Sequence, residues 1–201
     1  MIHDLGKPCE ADWPQCNKGE LDGAIAYLAG PIDNTPCDGI PIRKYIKSLA
    51  KEKGLKLKFL DPTDKFHGFT QDAGKDKENS ESLRKQSKWA ELRKLRRKIV
   101  RVDLRCVDIS DLLILYIDAS VHMCGSYAEF FTAVQQKKPI MAIIKGGKVN
   151  CPNWLFGVLD HHFMFDSVES CIDYLVKLNS GEAELNERWV LLRAQLKEDS
   201  L

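Results

Sequence analysis

Short uninterrupted apolar runs alternate along this chain with longer stretches in which apolar residues recur every three or four positions. Ala24-Ile25-Ala26-Tyr27-Leu28-Ala29 is the first such run, closed by Gly30-Pro31, and its length and punctuation predict a buried strand. Ile40, Ile42, Tyr45, Ile46 and Leu49 then fall at helical spacing up to Gly54, a residue suited to a helix C-terminus. Leu57-Lys58-Phe59-Leu60 predicts a second strand, stopped by Asp61-Pro62. Residues 62–80 carry Gly68, Gly74 and many charges without a period. They are expected to form an irregular excursion, either a surface loop or a lid centred on 65–77.

Residues 82–107 predict one long amphipathic helix, with Trp89, Leu92, Leu95, Ile99, Val102 and Cys106 as its apolar stripe. Residues 111–118 are a continuous apolar run between Asp111 and Asp118, the pattern of a strand in a sheet covered on both faces. A helix over 125–136, strands over 139–144 and 162–165, and helices over 168–178 and 182–196 complete the pattern. Strands alternating with helices through right-handed crossovers predict an α/β, flavodoxin-like (Rossmann-like) three-layer fold with a five-stranded parallel sheet; if its strands take the common order 2-1-3-4-5, the chain reverses direction between strands one and three. Residues 1–23 read as an N-terminal extension and 24–201 as a single domain. In such a sheet ligands bind beyond the C-terminal strand ends where the strand order reverses. That rule nominates the loops at 30–38 and 118–125.

Composition narrows the function. At 201 residues, 44% hydrophobic and 29% charged, the chain is sized for one domain with a real core. Thirty basic and 29 acidic side chains give a formal charge of +1. No global field exists to hold nucleic acid or an anionic membrane, so neither is expected as a partner. Asp4, Glu10 and Asp12 stand where a signal peptide needs an apolar core, and no apolar run approaches the ~20 residues of a bilayer span. Seven cysteines without a framework spacing suit a reducing compartment, and the expected location is cytoplasmic. Ten lysines and arginines between Arg84 and Arg105 form a solvated face, a wall for nucleotide phosphates, or a polymer contact. Leu185, Trp189, Leu192 and Leu196 form a stripe that docks on the domain or on another subunit.

The second nominated loop leads into Gly125-Ser126-Tyr127-Ala128-Glu129. Glu129 is either an acid complementing the helix dipole or a nucleophile or base at the sheet edge. Asp103 is either a surface acid among arginines or a second carboxylate turned toward the same edge. Together they would make the pair that glycosyl chemistry uses, one group for the anomeric carbon and one proton donor for the leaving group. Other motifs are weaker. Lys145-Gly146-Gly147-Lys148 lacks the first glycine and the hydroxyl of a phosphate loop, and no G-x-G-x-x-G follows the first strand. Cys9, Cys16, Cys37 and His3 lack the C-x2-C spacing of zinc sites. Cys124 beside His122 has no evident orienting acid, and His161-His162, at the start of a predicted strand, read as core or edge histidines.

Tyr27-Leu28-Ala29-Gly30-Pro31, Asp103 eight residues before Asp111, and the G-[ST]-x-x-E turn at Gly125 to Glu129 together resemble the nucleoside 2-deoxyribosyltransferase family over roughly residues 24–166. The resemblance implies transfer of deoxyribose between nucleobases, with Glu129 as nucleophile, Tyr27 orienting it and Asp103 handling the proton of the leaving base. It places Gly30, Pro31, Asp118, Met123, Gly125, Ser126 and Asn153 around the substrate. Asn153 would reach a neighbouring subunit's sugar, or is a turn residue after Pro152. Met123 stands where the family often carries an aspartate that holds sugar hydroxyls, and Asp118 is the candidate substitute. The implied partners are a nucleoside or nucleotide, a free nucleobase and further copies of the chain, with no cofactor and no metal. Two alternatives remain open: a nucleoside 5′-monophosphate N-glycosidase, and a catalytically inactive nucleotide-binding sensor on the same fold.

Overall fold

A computed structural model describes residues 21–33, 35–64 and 73–183. Most of the predicted extension and nearly all of the closing helix at 182–196 lie outside these residues, as do Cys9, Cys16, His3 and most of the predicted lid. Five strands, β1 (Ile25–Ala29), β2 (Lys58–Leu60), β3 (Leu112–Ile117), β4 (Ile140–Ile144) and β5 (Met164–Phe165), form one sheet in the order β2-β1-β3-β4-β5. All four pairings are parallel, so the fold is α/β and flavodoxin-like as expected. The helices are α1 (Ile40–Glu52), α2 (Ala73–Lys85), α3 (Trp89–Ile109), α4 (Cys124–Gln135), α5 (Asn153–Phe156) and α6 (Val168–Ser180). α1 packs with α6, and α3 with α4. The path from β1 to β2 runs one way across the sheet and the path from β3 to β4 the other, so right-handed crossovers put these two pairs on opposite faces.

The core is the doubly covered sheet. Leu112, Leu113, Ile114, Leu115 and Ile117 of β3 and every residue of β4 are buried, as the unbroken apolar runs require. Leu21 is buried too, with its N–H donated to Asn179 Oδ1 at 2.9 Å, so core packing begins a few residues before β1. No helix among the described residues is long and apolar enough to cross a membrane.

Three predicted elements differ. The stretch expected to be irregular to residue 80 is helical from Ala73 onward. α2 is a polar helix held against α3, so it lacks the apolar period by which helices are recognised. The single helix expected over 82–107 is two helices. α2 ends in a Schellman motif, with Lys88 N–H bonded to Leu83 O, Ser87 N–H bonded to Arg84 O, and Ser87 at φ 54° in the position glycine usually takes. Without a glycine or proline there, the break left no mark on the pattern. β5 is shorter than expected, because Asp160 accepts the backbone N–H of His162 and winds His161–Phe163 into a 3-10 turn. The stripe of α3 is also less covered than its spacing suggests: Cys106 and Val107 are buried, whereas Trp89 is 60% exposed.

One side chain shapes the first nominated loop. Arg43 sits on the inner face of α1 with Ile46 and Ala50 and is only 2% exposed. Its guanidinium donates to the carbonyls of Leu28 at 3.3 Å, Gly30 at 2.8 Å and Gly39 at 3.1 Å, and lies 3.6 Å from Asp61. Gly39 has φ 67°, and a Cβ there would come within 2.5 Å of both Arg43 Nη1 and Pro31 O. Gly39→Ala therefore meets backbone strain and a collision together, and is expected to cost about 1–3 kcal/mol in urea unfolding. An unchanged midpoint would show that the clamp is not rigid.

Candidate active site

The sheet order opens a crevice between the loops after β1 and β3, and a cavity of about 380 Å³ fills it. Gly30, Pro31, Ile32 and Asp33 form one wall, and Met123 to Ser126 with Glu129 of α4 form another. α2 and α3 close the side with Asp76, Lys77, Arg84, Arg96, Ile99 and Asp103. Both loops nominated from the strand order are therefore on the cavity.

Helical period brings the two carboxylates there. Ser126, Glu129, Phe130 and Ala133 are the buried positions of α4, so Glu129 lies on the inner face and is 8% exposed. Asp103 shares a face of α3 with Ile99 and Cys106, the face that meets α4. Tyr27, fully buried in β1, donates its hydroxyl to Glu129 Oε1 at 2.7 Å. Tyr27 thus stands behind Glu129 and does not touch the cavity. Asp103 makes no hydrogen bond or ion pair among the described residues, so its carboxyl is available to a ligand.

Burial governs the electrostatics. Desolvation, reinforced by the negative charge of Asp103, pushes Glu129 up to about 8, against the Tyr27 hydrogen bond and the Arg43 charge. Desolvation raises Asp103 to about 6, opposed by Arg43 and Arg96 and assisted by Asp33. Tyr27 is raised well above the usual phenol by burial and by the two carboxylates. Two like groups in one desolvated site titrate as a pair, so around neutral pH the pair holds about one proton. Such a pair can present one carboxylate and one carboxylic acid.

The other predicted residues divide. Gly30, Pro31, Met123, Gly125 and Ser126 line the cavity. Asp118 does not: its carboxylate is held by Lys145 Nζ at 2.7 Å and by the hydroxyl and N–H of Ser120, so it is already satisfied. Asn153 is exposed at the start of α5, away from the cavity wall. Cys124 and His122 reach the cavity but make no hydrogen bond among the described residues that would activate the thiol. Away from the site, Asp160, His161 and His162 bring possible ligand atoms within 4.8 Å of one another on the exposed surface. Arg43 was missed, although its spacing from Ile46 and Ala50 put it on the inner face of α1.

No protein-family model matches the chain, and a search of curated proteins finds no match. One solved structure, that of a conserved protein from Enterococcus faecalis V583, is similar at 15% identity and a TM-score of 0.41, covering 88% of this chain and 99% of that one. At that level the likeness carries no argument, and the site has to be read from its own geometry.

The raised Glu129 has a consequence for stability. In the unfolded chain it ionises near the ordinary glutamate value, whereas in the fold it keeps its proton to about 8. Unfolding therefore releases a proton between these values, and stability falls as pH rises through that window. Glu129→Gln keeps the shape and the acceptor for Tyr27 without the charge. It is expected to melt with the parent near pH ~4 and several degrees above it near pH ~9, as followed by circular dichroism. Equal melting at both pH values would mean that the carboxylate is solvated.

Proposed function

We propose that the protein cleaves the N-glycosidic bond of 2′-deoxynucleosides and transfers the deoxyribose to a second nucleobase. The observation that carries this reading is the hydrogen bond from Tyr27 to Glu129, which aims a buried carboxylate at a cavity that an unpaired Asp103 also faces. The reacting form is the one in which the pair's single proton sits on Asp103: Glu129, ionised, attacks C1′ as the bond to the base nitrogen breaks, the bonding pair leaves with the base, and Asp103 supplies the proton that nitrogen needs. The developing positive charge at C1′ lies against the carboxylate in a desolvated site, where the attraction is strong. A second base then attacks C1′, the ester to Glu129 breaks, and Asp103 takes the proton released by the incoming nitrogen. Water in place of that base would yield free deoxyribose. Tyr27 is a positioning residue: it holds one carboxylate oxygen so that the other faces the substrate.

Deoxyadenosine with free cytosine tests the reading by chromatography. Deoxycytidine and adenine are expected; adenine with deoxyribose would mean hydrolysis, and no product would exclude both. Glu129→Ala is expected to abolish turnover. Asp103→Asn should slow it about 10²–10⁴-fold, and Tyr27→Phe about tenfold, the worth of one hydrogen bond to a charged group. Full activity in Glu129→Ala would overturn the mechanism.

The two carboxyl groups also dictate a pH profile. Below about 6 both are protonated and no nucleophile exists; above about 8 both are ionised and no acid remains. The rate is expected to peak between these values, and Asp103→Asn should remove the alkaline limb. A profile flat from pH ~5 to ~9 would count against a shared proton.

A further inference from the structure

We infer that the preferred substrate is a deoxynucleotide within a single DNA strand, which lies along α3 and turns one nucleotide into the cavity. This rests on the reading that Glu129 addresses C1′. The net charge of the chain conceals the surface concerned. Between Arg84 and Arg105 stand ten basic and two acidic side chains, so this stretch is eight charges positive, while the whole chain is only +1. Arg96 pairs with Asp33 and Arg105 with Asp108. The other eight cations are all exposed and make no ion pair among the described residues. Arg93, Arg97 and Arg101 stand four residues apart on α3, as do Lys94 and Lys98, a spacing at which like charges weaken a helix. An anionic polymer removes that repulsion and sheds its own counterions as it binds, which is the source of polynucleotide affinity for such a face.

Geometry connects this face to the site. Trp89, Arg93, Arg96, Val100 and Asp103 recur at steps of four and three residues, so they form one row along α3. The row is about 21 Å long, room for roughly four nucleotides. It begins at a tryptophan that is 60% exposed and ends in the cavity, which Arg96, Val100 and Asp103 line together with Arg84 of α2. An indole open to solvent, with cations before and after it in the chain, offers any base a face to stack on. The arginines meet the phosphates. A flat membrane would also accept a basic, partly apolar helix, but it cannot follow a row that descends into a crevice and ends on a carboxyl group. Chemistry on a base requires that base to leave its stack, which a single strand permits at least cost. The base is then exchanged at C1′, or lost to water, while both phosphodiesters of that nucleotide stay intact.

Fluorescence anisotropy with a labelled single-stranded deoxyoligonucleotide of mixed sequence, about 12 nucleotides long, tests this on the Glu129→Gln protein, in which the nucleophile is absent. The strand is expected to bind at least about tenfold more tightly than the duplex of the same sequence, and to lose about tenfold or more in affinity between ~50 and ~200 mM salt. Trp89→Ala should lower strand affinity about tenfold and Trp89→Phe should restore it within about twofold, a rescue that charge alone would not produce. Arg93→Gln should weaken binding and make its salt dependence shallower. Trp89 and Arg93 are both exposed, so their replacement does not put the fold at risk. Heparin or duplex bound as tightly as the strand, or an unchanged affinity in Trp89→Ala, would overturn the inference by reducing α3 to a bare cationic face. Phosphatidylserine vesicles that displace the strand would overturn it in favour of a membrane. Chromatography of the parent protein keeps the two proposals apart. Base release from the strand faster than from deoxyadenosine supports both. Trp89-dependent strand binding with no base released from either substrate sinks the glycosidic reading alone, and base release from deoxyadenosine by a protein that binds no strand sinks the strand site alone.

Discussion

A carboxylate held away from water is the constraint around which this structure is arranged. Glu129 would be most comfortable in solvent, yet the period of α4 turns it inward beside Phe130 and Ala133, and among the described residues only the Tyr27 hydroxyl bonds its carboxylate directly. A buried ion of this kind is tolerated when it keeps its proton or finds compensating charge. Both occur: the group retains its proton well above the usual glutamate range, and Arg43 offers a positive field from behind β1. That arrangement lowers the stability of the fold and, on the proposed reading, leaves the carboxylate that meets C1′ poorly solvated when it is ionised.

Arg43 ties the electrostatics to the backbone. Its donors hold the carbonyls of Leu28, Gly30 and Gly39, which fixes the loop that makes one cavity wall. The same positive charge opposes the upward shifts of both Glu129 and Asp103. Asp61 balances the guanidinium at 3.6 Å and is itself held by Lys47 and Thr63, so the cation does not stand alone in the interior. Loop shape and dyad charge therefore depend on one side chain, and neither can be altered by itself through a substitution there.

How much of this was legible before folding depended on whether a feature had a period. Strands β1, β3 and β4 are continuous apolar runs, and their order in the sheet is the one common to flavodoxin-like folds. The inward turn of Glu129 could be read from its spacing to Phe130 and Ala133, and that of Asp103 from Ile99 and Cys106. α2 was illegible because a helix packed by polar residues has no apolar stripe, and its end at Ser87 was illegible because a serine occupies a left-handed position. Asp118 misled for a related reason. A carboxylate at a strand end looks like a sugar ligand until Lys145, 27 residues later, is found closing on it, and pairs that distant in sequence leave no local trace. Arg43 shows the opposite failure: its spacing was present, but a charged residue on an apolar face is easily passed over.

On the proposed reading, the choice between transfer and hydrolysis follows from what occupies the cavity after the first base departs. Both outcomes return the same proton to Asp103, so proton supply does not select between them. Occupancy does. Pro31, Pro62, Ile99, Val100 and Met123 give the cavity apolar walls, on which a flat heterocycle is held better than water because it removes more apolar surface from solvent. A bound base then blocks the approach of water to C1′ and presents a nitrogen lone pair in its place. The partition is set by the affinity of the apolar wall for a free base, so enlarging Val100 or trimming Ile99 should change the product ratio while leaving the departure of the first base to Glu129 and Asp103.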